Sequence, residues 1–406
     1  MSERKMLSFF RICLVLAIIS AVTSQTVRNI TATLTKVPVE GLMNFTELVQ
    51  KYGYEVEEHD VITSDGYILK LFNIPGDKTR PVLLLPGIFG TADDYVIRGN
   101  TSLAIILAAS GYDVWAINVR GTRYTRKHMT LNPDDDFAFW DYSIHEFGYY
   151  DLPANIDYVL NATGQSKVNI VGFSQGTTMT LILGATRPEY NEKVNVFIAL
   201  APVCHLQNTR GPITSLITFG NVIDKAVMPF DLYEISGYSS LTKGIMNMLC
   251  TQLPISYELC MGAVLAPLIG TKSDEMDPDF FPIIMAHFPS GTSWKNLVHF
   301  AQIGSRRSFS NYDYGTTKNL YKYKAFTPPN YDLRKVTFDT ILVSGKNDRI
   351  STLKDMELLK QNLVNVKDHM ILEPDYFNHL DHLWGRNSYA ISYPYVLETL
   401  KRYNSH

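Results

Sequence analysis

Gly172-Phe173-Ser174-Gln175-Gly176 forms a G-x-S-x-G sequence in which the Ser174 hydroxyl is the one group able to act as a nucleophile. A serine hydroxyl attacks a carbonyl only if a base removes its proton. That base in turn needs an acid to fix its tautomer and to steady the imidazolium. Where this motif forms a nucleophile elbow, the chain order is serine, acid, histidine. Asp348, in Ser344-Gly345-Lys346-Asn347-Asp348, and His379, in Phe377-Asn378-His379-Leu380-Asp381-His382, follow Ser174 in that order. Either residue alone has an ordinary solvated or structural reading, but the ordered set of three, each near a strand end, is expected to be a catalytic triad. His382 stands three residues beyond His379. If a helix begins near Leu380, His382 falls in its first turn and His379 remains on the loop, which makes His379 the expected base.

The oxyanion that develops during acyl transfer needs two fixed backbone N–H donors. One is expected from Gln175, which follows the nucleophile. The other should come from the loop Pro86-Gly87-Ile88-Phe89-Gly90 after an early strand, with Ile88 as the donor. The same Pro-Gly pair also reads as a plain turn. This chemistry calls for no metal and no cofactor. His145-Glu146 lacks the second histidine of an H-E-x-x-H zinc site.

Strand ends must carry these groups. Short runs rich in β-branched residues at 82–85, 113–119, 168–171, 194–200 and 338–343 alternate with helix-length segments at 103–109, 152–160, 177–185, 353–363 and 393–403. That alternation predicts an α/β fold with a mostly parallel sheet covered by helices on both faces. It stops after Pro202 and resumes near Val336, and the stretch between is irregular, with Pro, Gly and Tyr among apolar clusters. The expected organisation is a signal peptide at 1–24, a sheet core at 25–204, an inserted cap at 205–329, and the rest of the core at 330–406.

The 406 residues are 46% hydrophobic and 19% charged, which suits a large buried core and argues against disorder. A net charge of −3 leaves no footprint for nucleic acid. Arg4, Lys5 and Arg11 precede an apolar run at 12–22 and small residues near Ser24. The run is about half the length of a membrane span, so it reads as a cleaved signal peptide rather than an anchor. Secretion gives meaning to four Asn-x-Ser/Thr sequons, at Asn29, Asn44, Asn100 and Asn161. Of the four cysteines, Cys13 would leave with the signal peptide, Cys250 and Cys260 are close enough to pair, and Cys204 reads as a small buried hydrophobe.

From about residue 53 onward the chain resembles the acid lipase family that includes gastric lipase and lysosomal acid lipase. The resemblance rests on Asp113-Val114-Trp115, Arg120-Gly121-Thr122-Arg123, Phe139-Trp140-Asp141-Tyr142-Ser143, Tyr150-Asp151-Leu152-Pro153-Ala154 and Gly172 through Thr178. It continues through Cys250 and Cys260, Pro289-Ser290-Gly291-Thr292-Ser293, Tyr312-Asp313-Tyr314-Gly315 and Asn378-His379-Leu380-Asp381. It implies an α/β-hydrolase fold, a lid within the cap, the triad Ser174, Asp348 and His379, and hydrolysis of triacylglycerol or sterol esters at a lipid–water interface. It also implies a secreted or lysosomal location. The chain has Phe173 and Pro86 where the family usually has histidine, and His382 where it usually has an aromatic residue; these departures bear on substrate range and pH optimum. Two other functions suit the same scaffold: a serine carboxylesterase for soluble esters, and a non-catalytic lipid-binding protein.

Overall fold

The alternating runs build one eight-stranded sheet. In the computed structural model, residues 37–404 are described, apart from 216, 219–232, 238–244, 247, 253–254 and 271–274. The expected signal segment, Cys13 and Asn29 lie outside the described residues. The sheet strands are β1 (Glu57–Ile62), β2 (Ile68–Ile74), β3 (Asp77–Leu85), β4 (Tyr112–Ile117), β5 (Val168–Phe173), β6 (Val194–Leu200), β9 (Thr340–Ser344) and β10 (Val366–Ile371). A separate two-stranded ribbon pairs β7 (Glu234–Ile235) with β8 (Thr292–Ser293). The order across the large sheet is β1-β2-β4-β3-β5-β6-β9-β10. β1, β2 and β4 are joined by antiparallel pairings, and every pairing from β4 to β10 is parallel.

Every residue of β4 and β5 is buried, the pattern of strands covered on both faces, which is why these strands read as continuous apolar runs. Side chains that alternate along each strand feed two cores. Val82, Leu84, Val114, Val171 and Ile198 pack on one face, and Leu83, Leu85, Trp115, Ile170 and Phe197 on the other. The edge strand β1 is mostly exposed and carries Glu57, Glu58 and Asp60, charges that discourage pairing with another chain.

Helices α1 (Phe45–Lys51), α2 (Leu103–Ala109), α3 (Leu152–Thr163) and α4 (Gln175–Thr186) precede β6. α3 opens with Pro153 in its first turn and closes on Gly164 at φ 72°, a left-handed position that glycine adopts without a Cβ clash. The chain leaves the sheet after Leu200 and re-enters it at Thr340. The excursion is more regular than its sequence implies. It contains α5 (Phe281–His287), α6 (Trp294–Arg306) and α7 (Thr316–Tyr323), and a disulfide joins Cys250 to Cys260. α6 carries an apolar helical period at Trp294, Leu297, Val298 and Ala301 inside a stretch that otherwise reads as irregular, and its buried face also holds Asn296, His299 and Gln302. The apolar cluster ending at Phe219 lies partly outside the described residues. Cys204 is buried with a free thiol. Past β9 come α8 (Leu353–Asn362), α9 (Asp381–Trp384) and α10 (Tyr393–Tyr403).

Candidate active site

β5 ends at Phe173, and the chain turns sharply into α4 through Ser174, whose φ of 50° and ψ of −114° are strained for a residue with a side chain. The turn is held by the Ser174 N–H, which donates to the Leu200 carbonyl of β6 at 3.0 Å. Its tightness demands glycine on the helix side. A Cβ on Gly176 would stand 2.5 Å from the Leu85 carbonyl oxygen, and one on Gly172 would stand 3.0 Å from Gly176.

Asp348 follows β9 and His379 follows β10, so two neighbouring strands deliver acid and base to the same sheet edge as the serine. His379 Nε2 lies 2.8 Å from Ser174 Oγ, and His379 Nδ1 lies 2.7 Å from Asp348 Oδ2. The other carboxylate oxygen of Asp348 accepts from the Ile350 and Ser351 N–H groups, each at 2.8 Å, which fixes the orientation of the group. Ser174, His379 and Asp348 are only 5%, 4% and 3% exposed, so their attraction acts largely out of water. The Asn347 N–H donates to the Phe377 carbonyl at 3.0 Å and stitches the acid loop to the histidine loop. Asn378 and Asp381 brace His379 from both sides. The Asn378 N–H donates to Asp381 Oδ2 at 2.8 Å, and Asn378 Oδ1 accepts from the Leu380 N–H at 3.0 Å.

His382 occupies the first turn of α9, as its spacing predicts, fully buried and with no hydrogen-bond partner at either ring nitrogen among the described residues. Its ring meets the face of Phe377 edge-on at 5.0 Å. Burial pushes its pKa down to about 3, opposed by Asp348 and assisted by His379, so the ring stays neutral. Phe173 packs its ring 5.2 Å from that of His379, beside the base.

The loop after β3 lies directly on the nucleophile. A Cβ on Gly87 would stand 3.0 Å from the Phe173 ring and 3.5 Å from Ser174 Cβ. Ile88 is on this loop, next to Phe89, which adopts a φ of 61°. Gln175 opens α4, so its N–H is among the first four of the helix, which have no carbonyl partner within it. Gln175 and the loop that carries Ile88 therefore lie next to Ser174.

Two features of the site carry no signal in the sequence. Asn296 of α6 donates from Nδ2 to Gln175 Oε1 at 2.7 Å. Just past the Gly87 loop, Asp93 accepts from Arg123 at 2.9 Å and from Tyr124 at 2.8 Å, and lies 2.9 Å from His287 Nδ1 of α5. These contacts join residues far apart along the chain, and nothing in their local sequence marks them.

Residues 80–217 match the model of the alpha/beta hydrolase fold, and residues 45–99 match that of the partial alpha/beta-hydrolase lipase region. The chain is 36% identical to Lipase 1 of Drosophila melanogaster over 89% of its own length and 80% of that protein. It is 33% identical to mouse (Mus musculus) gastric triacylglycerol lipase, over 86% of this chain and 89% of that one. With the lysosomal acid lipase/cholesteryl ester hydrolase of Macaca fascicularis the identity is 34%, over 91% and 94%. The chain belongs to the acid lipase family. An acid lipase is a carboxylic ester hydrolase. In fold alone, the chain superposes on a bacterial membrane phospholipase A with a TM-score of 0.52 at 13% identity, each chain covered in full. The alpha/beta hydrolase GrgF from Penicillium sp. sh18 superposes with a TM-score of 0.51 at 14% identity, over 86% of this acid lipase and 99% of that chain. Among the described residues, no helix is long and apolar enough to cross a membrane. Asn100 and Asn161 are exposed, whereas Asn44 is half-buried and caps α1, its Oδ1 accepting from the Glu47 N–H at 2.9 Å. A cleft of about 540 Å³ lined by His205, Arg307 and Tyr331 includes none of the triad residues.

Proposed function

We propose that this acid lipase hydrolyses neutral lipid esters, triacylglycerols or sterol esters, through an acyl-enzyme on Ser174. The observation that carries the reading is the buried relay from Ser174 Oγ to His379 Nε2 at 2.8 Å and from His379 Nδ1 to Asp348 at 2.7 Å. As Ser174 Oγ bonds to the ester carbonyl carbon, His379 Nε2 takes its proton and Asp348 stabilises the resulting imidazolium. The carbonyl oxygen, now negative, accepts from the Gln175 and Ile88 N–H groups. The imidazolium passes its proton to the departing alkoxide oxygen as the C–O bond breaks. Water then repeats the sequence on the acyl-enzyme and releases the carboxylic acid. Every proton in this cycle moves between Ser174, His379, substrate and water.

The substrate class is supported by the names of the gastric triacylglycerol lipase and the lysosomal cholesteryl ester hydrolase that the chain resembles. Residues 205–329 act as the cap and lid, and the substrate is met at a lipid–water interface. The location is secreted or lysosomal, in keeping with the 1–24 signal reading, the Cys250–Cys260 disulfide and the sequons at Asn29, Asn44, Asn100 and Asn161.

The test is hydrolysis of a panel from short soluble esters to emulsified triolein and cholesteryl oleate, combined with fluorophosphonate labelling. Ser174 is expected to take the label. Ser174→Ala and His379→Ala are each expected to lower kcat by several orders of magnitude, up to about a millionfold. A folded protein that leaves Ser174 unlabelled would be a lipid carrier, and activity confined to soluble esters would make it a carboxylesterase.

A further inference from the structure

Asn296 stands in the first turn of α6, fully buried on the face turned towards the nucleophile elbow. Its Nδ2 donates to Gln175 Oε1 at 2.7 Å, across 121 positions of chain, and to Thr292 Oγ1 at 3.1 Å. Its backbone N–H donates to Ser293 Oγ at 3.1 Å, and Ser293 Oγ donates to the Tyr142 carbonyl of the core. The side chain is thereby fixed in one orientation. Its Oδ1 is buried without a partner, so the amide is an expensive choice for a core-facing helix position: stability alone would favour leucine, which fills a similar space with no polar atom to satisfy. What the amide gains is a grip on Gln175.

Gln175 is the residue whose N–H reaches the oxyanion. Its peptide bond to the strained Ser174 sets the direction of that N–H, and its side chain, 2% exposed, is the handle by which the peptide can be held. The same stretch of chain braces the other donor: the Ser290 N–H donates to the Phe89 carbonyl at 2.8 Å, one residue beyond Ile88. We propose that Asn296 is a positioning residue for the oxyanion hole, aiming the Gln175 N–H and making its alignment depend on the seating of the 289–296 segment over the elbow. The proposal rests on the reading of Gln175 as an oxyanion donor.

The test replaces each partner of the hydrogen bond. Asn296→Leu and Gln175→Leu are each expected to lower kcat on a soluble ester by about ten- to a hundredfold with KM within twofold, the pattern of a contact that matters in the transition state. A boronic acid inhibitor, whose serine adduct is a tetrahedral anion, should weaken in proportion to kcat. The double variant should be no slower than the slower single one, because both remove the same bond. Should Asn296→Leu not fold, Gln175→Leu reads the bond from the other side with α6 intact. Unchanged kcat and unchanged boronate affinity would overturn the proposal. So would a rise in KM without loss of boronate affinity relative to substrate, the mark of a general loosening, or multiplicative losses in the double variant. Fluorophosphonate labelling of Ser174 in the unmodified enzyme keeps the two ideas apart. Labelling with unaffected Asn296 and Gln175 variants rejects the positioning role alone, and failure to label rejects the triad reading first.

Discussion

His379 and His382 stand three residues apart on one bend of chain, and their surroundings give them opposite chemistry. His379 has a carboxylate on one nitrogen and a hydroxyl on the other, the arrangement that lets a ring gain and lose a proton in each cycle. His382 has no hydrogen-bond partner at either ring nitrogen among the described residues, packs against the Phe377 ring, and is held neutral by burial, with a pKa pushed down to about 3 from 6.5. This depression has a thermodynamic consequence. Below pH 6.5 the unfolded chain takes up a proton at His382 that the folded chain refuses until about pH 3, so the stability this group contributes is present above 6.5 and is lost as pH falls through that window. His382→Phe removes the mismatch and keeps a ring against Phe377. The variant is expected to gain roughly 3 kcal/mol relative to the unmodified protein between pH 7.5 and pH 4.5, two pKa units below the unfolded value. Urea unfolding at the two pH values measures it, with kcat expected within about tenfold of the original. A variant that loses activity by several orders of magnitude while folded would transfer the role of base to His382.

Among the elements, 194–200, 103–109 and 393–403 are legible in the sequence to the residue: a buried parallel strand is uniformly apolar, 103–109 is an unbroken run of strong helix formers, and 393–403 has a clear amphipathic period. β1 is not legible in this way, since Glu57-Glu58-His59-Asp60 gives an edge strand the look of a loop. α6 escapes not for want of a period but because it sits in a stretch whose scattered Pro, Gly and Tyr read as irregular. The contact between β3 and the start of α4 is one that only packing reveals, although the motif glycine hints at it. Gly176→Ala would drive a Cβ to 2.5 Å from a backbone oxygen that cannot swing aside. It is expected to cost about 1 to 3 kcal/mol and to lower kcat more than tenfold by lifting α4, and with it Gln175, from the elbow. Gly262→Ala, where nothing beyond its own helix and chain neighbours lies within 4 Å of the new Cβ, should leave kcat unchanged and should not destabilise the fold, helix propensity favouring alanine by up to about 1 kcal/mol. Equal effects from the two substitutions would remove the steric argument.

At the scale of the whole molecule, loops past the strand ends bring Ser174, Asp348 and His379 together, and the excursion carries much of the exposed apolar surface among the described residues. Met248, Ile255 and Val264 are 54%, 60% and 51% exposed, and the stretch 245–264 carries a single charge, Glu258. Such a surface is costly in water and suits contact with lipid. Ile255→Glu combined with Val264→Glu is therefore expected to reduce the rate on emulsified triolein at least tenfold while leaving a short soluble ester within twofold. Equal loss on both substrates would show that the segment serves the fold rather than the interface. The unmodified enzyme should also speed up as a short-chain ester passes its solubility limit, and a flat profile would count against the lid reading.

The sequence by itself determined the α/β class, marked Ser174, Asp348 and His379 in that order, and set Cys250 and Cys260 near enough to pair. The strands and the pairing depend on short stretches of chain, and the ordered set depends on residue types standing beyond strand ends, so none of them requires a distant contact to be known in advance. The tertiary structure decided what crosses the chain. It separated His379 from His382 by giving one of them partners, and it brought Asn296 onto Gln175 and His287 onto Asp93. It also required the glycine at 176 to be as small as it is. Apart from the His379–Asp348 bond, these are contacts between segments that the sequence places more than ninety positions apart, set by how the chain folds back on itself, and no local pattern records where a distant side chain will come to rest.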